Sequence, residues 1–591
     1  MSIGLDLASG YPAAGIPLPR YVDPSNLSPL TARHRALYPP GVPQDIPNDG
    51  SSLVAGLHEA VAAYPHRVAT DFFGATLTYK QLYEQIAKTT ALFKTYGLGP
   101  GDRLALILPN CPQFIIAFYA ALELGAVVAC HNPLAPVNEM QWQLKNHGAK
   151  VVVVWEKSVD HVVLDSDFQG RTVFTVNMTA AMPIVKRMAL KLPLAKARDL
   201  LDQLRGPVPA GCKDFDRELN ACKPLSLGPV PDSDPDLPAV LLHTGGTTGS
   251  PKAVVLTHRN LVTNVEAAVA WVVNLREGAE TWYCVLPFFH AFGLNLTMLS
   301  ALRMGATLVL FPRFSTDMVL DAMKRRKGTF ILGVPPVFQR LTAAAAEANA
   351  DITSFRYAIS GAMPLSEQIA QGWEKITKGY LVEGYGMTET SPIVLGSPFT
   401  PQRRPGTLGI VFPSIHIRVV EPEDPTKDVA PGEVGELIVK GPGVTPGYWN
   451  DPEETAAAFT QEGWLRTGDL VREDDDFIVM ADRRKELIIS GGFNIFPSQV
   501  EEAIADMPGI EEVAVVGIPD ATRGEEVRAV LVLAEGAKLT LAQVRAWVED
   551  KLPRYALPRS ISVLRSLPRS QLGKVLRREV RQQVLEQDKT K

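Results

Sequence analysis

The chain has 591 residues, more than one compact core usually holds, so several domains are expected. Its 46% hydrophobic and 21% charged residues are typical of a globular protein, and a net charge of −5 gives no reason to expect nucleic acid as a partner. Five scattered cysteines form no CxxC pair and no Cys/His cluster, which favours a reducing compartment and argues against disulfides and a zinc site.

The N-terminal stretch predicts neither a leader nor a membrane span. It lacks a basic region followed by a long apolar run, and no later run is apolar enough to cross a bilayer. We therefore expect a cytoplasmic protein, with peripheral contact at the inner membrane surface left open. Residues 1–50 are rich in proline and glycine and predict an extended arm.

From residue 51 to 484 the pattern predicts one large α/β domain. Helical periods alternate with short β-branched runs such as "VVVVW" at 151–155, which are typical of strands buried on both faces of a parallel sheet. Between about 405 and 480, alternating polar and apolar residues predict a small β-barrel-like subdomain with a hairpin turn at 473–476. Residues 485–591 predict a smaller α+β domain.

One basic segment, 183–204, interleaves lysines and arginines with Ile, Val, Met and Leu. This composition suits a helix lying on an anionic membrane. We favour the alternative, in which the apolar side chains pack on the domain and the charges are solvated, because such stretches are common on globular domains.

The stretch "HTGGTTGSPKA", beginning at His243, resembles a phosphate-binding loop. Small residues let backbone N–H groups approach phosphate oxygens, and hydroxyls and a lysine add donors. The loop is not a Walker A motif, because Lys252 stands between Pro251 and Ala253. If the motif stood alone, we would favour a glycine-rich turn between a strand and a helix.

Further motifs follow in order: "EGYGMTET" at 383–390, "GWLRTGDL" at 463–470, "DRRKELIISGGFNIFP" from 482 and "PRSQLGK" ending at Lys574. Together with the loop, this ordered set resembles the adenylate-forming enzymes that include acyl-CoA synthetases. The resemblance is strongest to bacterial long-chain fatty-acid–CoA ligases.

The resemblance implies a role for each matching residue. ATP or AMP would be bound by Thr244, Gly245, Gly246, Thr247, Thr248, Gly249, Lys252, Gly361, Ala362, Tyr385, Gly386, Thr388, Asp469, Arg483 and Lys574. Lys574 would be catalytic, assisted by Lys252 and His290, with Mg²⁺ held by Glu389 and Thr248. The hinge would lie near 482–485 at Lys485, and Gly491 and Gly492 would line the path of the coenzyme A pantetheine.

The implied reaction activates a fatty acid with ATP to acyl-AMP and pyrophosphate, and then forms a thioester with coenzyme A. Medium-chain or aromatic acids, or an acyl-AMP ligase that loads a separate carrier protein, remain alternatives. A nucleotide-binding pseudo-enzyme is the non-enzymatic alternative. His290 stands among phenylalanines and could equally be structural. Two positions depart from the family pattern, Ala253 and Gln499. The oligomeric state is left open.

Overall fold

The computed structural model describes residues 27–47, 50–162, 170–227, 234–244, 251–490, 493–520, 523–570 and 573–590. The chain divides into two compact units. The first comprises Met1–His416 and Val439–Leu465, and the second comprises Ile417–Ile438 and Arg466–Lys591.

The first unit is a mixed α/β structure. Its strands are β1 (Val68–Phe72), β2 (Ala75–Thr78), β3 (Arg103–Ile107), β4 (Val127–Cys130), β5 (Val151–Trp155), β6 (Thr172–Val176), β7 (Lys213–Asp214), β8 (Pro238–Thr244), β9 (Lys252–Thr257), β10 (Thr281–Cys284), β11 (Thr307–Leu310), β12 (Phe330–Gly333), β13 (Tyr357–Gly361), β14 (Tyr380–Gly386), β15 (Ile393–Gly396) and β16 (Ile410–Val411). Its helices are α1 (Pro29–Ala36), α2 (Leu53–Ala63), α3 (Tyr79–Thr95), α4 (Pro112–Leu122), α5 (Val137–His147), α6 (Ile184–Ala189), α7 (Ala195–Leu204), α8 (Phe215–Ala221), α9 (His258–Trp271), α10 (Ala291–Gly293), α11 (Ser300–Arg303), α12 (Thr316–Arg325), α13 (Pro335–Glu347), α14 (Glu367–Thr377) and α15 (Pro452–Ala458).

Two sheets rich in parallel pairs organise these elements. The seven-stranded sheet has the order β7-β6-β5-β3-β4-β8-β9, and the nine-stranded sheet has the order β16-β15-β14-β13-β12-β10-β11-β1-β2. Strand β5 shows why the sequence favours this fold, because all five of its residues are buried and it pairs in parallel with β3 on one side and β6 on the other. The predicted fold class of parallel-rich sheets flanked by helices is confirmed.

The second unit contains most of a four-stranded sheet and a smaller α+β body. Its elements are β17 (His416–Val420), β18 (Gly435–Lys440), β19 (Leu465–Asp474), β20 (Phe477–Arg483), β21 (Ile488–Ser490), β22 (Phe493–Ile495), α16 (Pro497–Ala505), β23 (Ile510–Asp520), β24 (Gly524–Leu533), α17 (Leu541–Val548), β25 (Ser560–Val563) and α18 (Arg577–Thr590). The stretch predicted to be barrel-like supplies strands β17–β20, which form a sheet in chain order.

Alternation along β23 builds two cores in the α+β body. Val515 packs on one face with residues of α16 and α17, whereas its neighbours Ala514 and Val516 pack on the other face with Val580 and Val584 of α18. Successive side chains of a strand point to opposite faces of the sheet, so β23 can pack against helices on both faces.

Two segments differ from the sequence expectation. Helix α1 lies within the predicted extended arm; the Ser28 side chain caps it and Pro29 starts it, and both features favour a helix N-terminus. The basic segment differs in part: Leu190 and Leu204 are buried as expected, but other apolar side chains are exposed, Ile184 at 66% and Val185 at 79%. Across the described ranges, no helix combines the length and apolarity that a membrane crossing requires.

Candidate active site

The predicted phosphate loop joins two antiparallel strands rather than a strand and a helix. Strands β8 and β9 pair with Thr244 opposite Lys252 and with His243 opposite Ala253. Ala253 lies in the extended backbone of β9, where its methyl group is buried and its carbonyl accepts a hydrogen bond from the Trp449 amide at 2.8 Å. A side chain is therefore accommodated where the family pattern has glycine. The remaining loop residues lie outside the described ranges: Gly245, Gly246, Thr247, Thr248 and Gly249.

Lys252 and Glu389, far apart in sequence, are linked through Tyr448. The Lys252 ammonium is paired with the Glu454 carboxylate and lies 4.9 Å from the centre of the Tyr448 ring. The Tyr448 hydroxyl donates a hydrogen bond to Glu389 Oε1 at 3.0 Å. The predicted phosphate lysine and the predicted magnesium ligand thus belong to one polar cluster, which we call the Lys252–Glu389 cluster: Lys252, Glu389, Tyr448 and Glu454.

Sequence reasoning did not identify Tyr448 or Glu454, because each stands outside the motifs, in a turn rich in proline and glycine and at the start of α15. Backbone contacts hold this turn in place. The Thr445 amide donates to the Glu389 carbonyl at 2.7 Å, and the Val255 amide donates to the Gly447 carbonyl at 3.0 Å. Burial, followed by the Glu389 charge, raises the pKa of Tyr448 far above its ordinary value, so its hydroxyl stays protonated as a donor.

The predicted adenine-binding residues meet at the carboxyl ends of β13 and β14. These strands are parallel, with Gly361 opposite Gly384, so Gly361 and Ala362 lie beside Tyr385. Gly361 has no room for a side chain, since a Cβ would lie 2.9 Å from the Phe292 ring. Ala362 has a φ of 64°, a strained conformation for a residue other than glycine.

Gly386 and Thr388 follow directly on this edge. A Cβ at Gly386 would lie 1.8 Å from the Pro392 carbonyl oxygen, so only glycine fits there. Thr388 and Glu389 begin a single 3₁₀ turn that ends at Thr390. The end of β14 therefore places the predicted base-stacking, phosphate and metal positions within one short segment.

His290 caps the N-terminus of the helical stretch that begins at Ala291. Its Nδ1 accepts a hydrogen bond from the Phe292 amide at 3.3 Å, and burial lowers its pKa to about 4. The imidazole is therefore neutral at pH 7 and carries its proton on Nε2, which leaves an N–H donor on the other side of the ring. The helix continues with π-helical turns at Leu294–Leu299, whose side chains are buried.

A separate cleft of about 480 Å³ lies at the amino ends of strands β13 and β14. Its lining includes Tyr357 and Tyr380, the first residues of β13 and β14, and the buried Trp271. Gly361, Ala362 and Tyr385 do not line it, because they lie at the opposite ends of the same strands.

In the second unit, the two predicted ribose-binding residues are cross-strand neighbours. Asp469 on β19 is opposite Arg483 on β20, and the Arg483 Nε lies 3.3 Å from Asp469 Oδ1. Asp469 is buried, so this carboxylate has a fixed direction. The predicted hairpin turn at 473–476 is what brings the two residues into register.

Lys574 lies on a tight turn near the same residues. The Ser570 amide donates to the Lys574 carbonyl at 2.7 Å, and the Lys574 amide donates to Ser570 Oγ at 3.2 Å. Burial, together with the nearby Arg483 charge, lowers the pKa of Lys574 to about 8, although Glu486 and Asp469 oppose the shift. The second unit thus gathers three predicted site residues in one electrostatic environment.

Three other predicted positions lie wholly or partly outside the described residues. Lys485 lies in the 3₁₀ turn Arg484–Glu486, but its side chain is outside what the structure describes. Gly491 and Gly492 lie outside the described residues. Gln499, which departs from the family pattern, is exposed in the first turn of α16.

Comparison with known proteins identifies the family. Residues 57–449 match the AMP-binding enzyme model, and residues 499–574 match the AMP-binding enzyme C-terminal domain. A long-chain-fatty-acid–CoA ligase of Bacillus subtilis is 34% identical over 559 residues, covering 92% of this chain and 97% of the relative. 4-Coumarate–CoA ligase 2 of Oryza sativa subsp. japonica is 33% identical, covering 86% of this chain and 88% of the relative.

The solved structures agree. ATP-bound MatB from Rhodopseudomonas palustris matches with a TM-score of 0.77 and 28% identity, covering 90% of this chain and 98% of that chain. The chain therefore belongs to the family of AMP-binding enzymes, the adenylate-forming acyl-CoA ligases. The resemblance inferred from the ordered motifs is confirmed.

Proposed function

We propose that this chain activates a long-chain fatty acid with ATP and transfers the acyl group to coenzyme A. The Lys252–Glu389 cluster carries the proposal, because it joins the phosphate loop to the end of β14, where the predicted adenine and metal positions lie. The long-chain substrate is supported by the Bacillus subtilis relative, whose name is long-chain-fatty-acid–CoA ligase.

The first half-reaction needs stabilisation of negative charge around the α-phosphorus of ATP. The fatty-acid carboxylate attacks that phosphorus, pyrophosphate leaves, and a mixed acyl-AMP anhydride forms. Lys574, which lies near Asp469 and Arg483, would supply positive charge at the phosphate, and Asp469 would accept hydrogen bonds from the ribose hydroxyls.

The residues of the first unit would hold the nucleotide and the acid. Lys252 would neutralise phosphate charge after exchanging its Glu454 partner for the nucleotide. Tyr385 would stack on the adenine beside Gly361. His290, with its Nε2 proton, would donate a hydrogen bond to an oxygen of the acyl carboxylate.

Glu389 suits a magnesium ion because hard oxygen donors are the ligands that Mg²⁺ prefers. The Glu389 carboxylate is buried and accepts a hydrogen bond from the Tyr448 hydroxyl, and this bond orients the carboxylate. When bound, Mg²⁺ would supply positive charge to the triphosphate. Thr248 is the other proposed ligand.

In the second half-reaction the coenzyme A thiol attacks the acyl carbonyl and AMP leaves. We propose that residues 485–591 form a mobile domain that turns about a hinge at 482–485, while 51–484 holds the adenylate. Support for the thiol path comes from an exposed aromatic pair that includes Phe493, the residue that follows Gly492 in sequence: the rings of Phe493 and Tyr555 stack with centroids 4.5 Å apart.

The substrate proposal is tested by ATP–pyrophosphate exchange with a panel of acids from short-chain to long-chain and aromatic, together with thioester formation on coenzyme A. We expect the highest kcat/KM with long-chain acids. If none of the acids in the panel supports exchange, only the pseudo-enzyme alternative remains. If an acid supports exchange but coenzyme A is not consumed, loading of a carrier protein is favoured.

Aromatic acids are the second candidate, favoured by the 4-coumarate–CoA ligase relative at nearly the same identity. The apolar stretch that follows His290 does not decide between them, because buried side chains such as Leu294 and Met298 suit either a core or the wall of an acyl channel. A kcat/KM for aromatic acids above that for fatty acids would select this alternative.

Replacing Lys574 tests the two-step mechanism. Lys574→Ala should abolish ATP–pyrophosphate exchange yet spare thioester formation from preformed acyl-AMP, since the lysine would act only in the first step. A matched control is Lys538→Ala, because Lys538 is an exposed lysine of the same unit. Equal loss of both half-reactions would contradict the proposed hinge.

We also propose that the segment 183–204 contacts an anionic membrane surface, from which a fatty acid would be drawn. Exposed apolar side chains cluster within it: Ile184, Val185, Met188, Leu192 and Leu194. Basic residues such as Arg187 and Lys191 lie among them, and α6 has no buried residue. Exposed apolar groups next to cations match the interface of an anionic bilayer.

Flotation with lipid vesicles tests this contact. Binding should be strong on vesicles containing phosphatidylglycerol, weak on pure phosphatidylcholine and reduced by salt. A variant with Ile184, Val185 and Met188 replaced by serine should lose it, whereas serine at Val563, an exposed valine of the second unit, should not. Equal binding of both variants would reject the segment as the membrane contact.

A further inference from the structure

Three histidines that are distant in sequence meet inside the first unit. His131 directly follows β4, His147 ends α5, and His243 lies near the end of β8. Strands β4 and β8 are parallel neighbours with Cys130 opposite Leu242, so the residues that follow these two positions lie side by side. One ring nitrogen from each histidine lies within 4.8 Å of the others. Sequence analysis found no metal cluster because only the fold assembles this one.

The spacing of the three rings fits coordination of a single ion. Their centroids are separated by 4.8, 5.0 and 5.9 Å. In a tetrahedral zinc site with Zn–N bonds of about 2.0–2.1 Å, ligand nitrogens lie about 3.4 Å apart and ring centroids about 5 Å apart. The Nε2 atoms of His131 and His147 are 3.0 Å apart, so only a small adjustment separates this cluster from that geometry.

Hydrogen bonds fix the proton on His131 in the way that a metal ligand requires. Its Nδ1 lies 2.7 Å from Gln143 Oε1, which can only accept, so Nδ1 carries the proton and Nε2 presents a lone pair. The Gln143 amide is itself oriented, because its Nε2 donates to Glu139 Oε1 at 2.9 Å. A carboxylate or amide behind a histidine is the usual support of a metal-binding imidazole.

The other two rings are neutral and differ in how they would bind. The Ala149 amide donates to His147 Nδ1 at 3.2 Å, so His147 Nε2 carries the proton that is shared with His131. A metal ion would take the place of this proton, which would move to Nδ1 at the expense of the bond from Ala149. His243 makes no well-aligned hydrogen bond through either ring nitrogen to the described residues, although the Cys130 carbonyl is close enough to favour its protonated form.

Burial keeps this cluster in the form that binds metals. It lowers the pKa of His131 to about 4 and lowers the pKa of His147 and His243 well below the ordinary value, so all three are neutral at pH 7. Three imidazoles select borderline transition metals such as Zn²⁺, whereas Mg²⁺ and Ca²⁺ require oxygen ligands.

We propose that His131, His147 and His243 form a binding site for a zinc-class divalent ion, separate from the magnesium site of the proposed reaction. The ion would tie the ends of β4, α5 and β8 together at the base of the phosphate loop, because His243 immediately precedes Thr244. Water or a small anion would complete the coordination, and an anion would also offset the positive charges of Arg103 and Arg171 near His147.

Metal binding to the full chain without nucleotide tests this site apart from catalysis. After treatment with a chelator, the protein should take up one Zn²⁺ per chain by elemental analysis, even in excess Mg²⁺. Co²⁺ should give the visible absorption of a tetrahedral, nitrogen-ligated ion. His243→Gln and His131→Gln should each weaken Zn²⁺ binding at least about tenfold, whereas His66→Gln, at an exposed histidine, should not.

The wild-type titration decides the proposal even where a variant does not fold. No stoichiometric uptake of Zn²⁺ by the folded chain would show that the three rings form only a buried hydrogen-bonded chain. Unchanged affinity in a folded His243→Gln variant would likewise overturn the site. Stoichiometric uptake that raises the thermal midpoint of the wild type would support the proposed structural tie.

Discussion

Raising the pH from 7 to 9 is expected to slow the first half-reaction about tenfold by removing the proton from most of the Lys574 side chains. Burial and, to a smaller extent, the Arg483 charge lower the pKa of this lysine to about 8. A group with that pKa is about 90% protonated at pH 7 and about 10% protonated at pH 9. If only the ammonium form stabilises the phosphate, kcat/KM for ATP should fall about tenfold over this interval.

The assay is ATP–pyrophosphate exchange at low ATP, since kcat/KM reports the ionisation of the free enzyme. Exchange avoids the thiol of coenzyme A, whose own ionisation would otherwise enter the profile. Lys574→Arg is the informative variant, because its guanidinium stays charged up to pH 9. Its rate should be lower than that of the wild type but constant over the same pH range.

Two results would refute the reasoning. A wild-type profile that stays flat from pH 7 to 9 would show that the Lys574 proton is not needed. A descending limb of the same midpoint in Lys574→Arg would assign the ionisation to another group. Lys538→Arg, at an exposed lysine, should leave the wild-type profile unchanged and controls for general effects of the substitution.

We expect four further outcomes, which depend on the packing and on a buried carboxyl group. Burial raises the pKa of Glu383 from 4.5 to about 8, so this carboxyl group ionises at lower pH in the unfolded chain than in the folded one. The free energy of unfolding should therefore fall as the pH rises from about 4.5 to about 8. Denaturation curves at pH 6 and 8.5 should show this difference for the wild type, and Glu383→Gln should remove it. Gly386→Ala should abolish ATP–pyrophosphate exchange, because the added methyl group would meet the Pro392 carbonyl oxygen. Gly372→Ala, inside α14, places its methyl group where no atom lies within 4 Å. It should stabilise the fold by about 0.5–1 kcal/mol, measured by urea titration. Trp373→Ala, in a fully buried aromatic cluster, should cost about 3–5 kcal/mol, measured in the same way.

Local patterns predicted the strands well where burial is uniform or strictly alternating. The run at 151–155 became β5 without a change of bounds, and the acidic turn at 473–476 connects β19 to β20. Helix α1 was missed although its signal was present, because a serine cap and a proline at the first position are helix-start residues within an otherwise aperiodic stretch. Strand β9, which follows the phosphate loop, was not predicted, because a glycine-rich loop after a strand can lead either into a helix or into an antiparallel strand.

Contacts between distant residues were the part that sequence could not supply. Nothing local marks Tyr448 as the partner of Glu389, since their link depends on the docking of the turn that ends at Tyr448 against β9. The same limit applies to the three histidines, which are separated by up to about a hundred residues and adjoin only because β4 and β8 are neighbours. The exposure of Ile184 likewise depends on what the rest of the domain leaves uncovered.

The distribution of the predicted site residues over the two units bears on how substitutions should act. Gly361, Tyr385 and the Lys252–Glu389 cluster belong to the first unit, whereas Asp469, Arg483 and Lys574 belong to the second. Each group is held by contacts within its own unit: the first by the β8–β9 hairpin and the parallel pair β13–β14. In the second, the cross-strand pair of β19 and β20 holds Asp469 and Arg483, and the turn from Ser570 holds Lys574. A substitution that loosens one group should therefore leave the geometry of the other intact. Under the proposed mechanism, a defect at Lys574 should slow the first half-reaction, whereas a defect at Asp469 should also weaken nucleotide binding through the ribose.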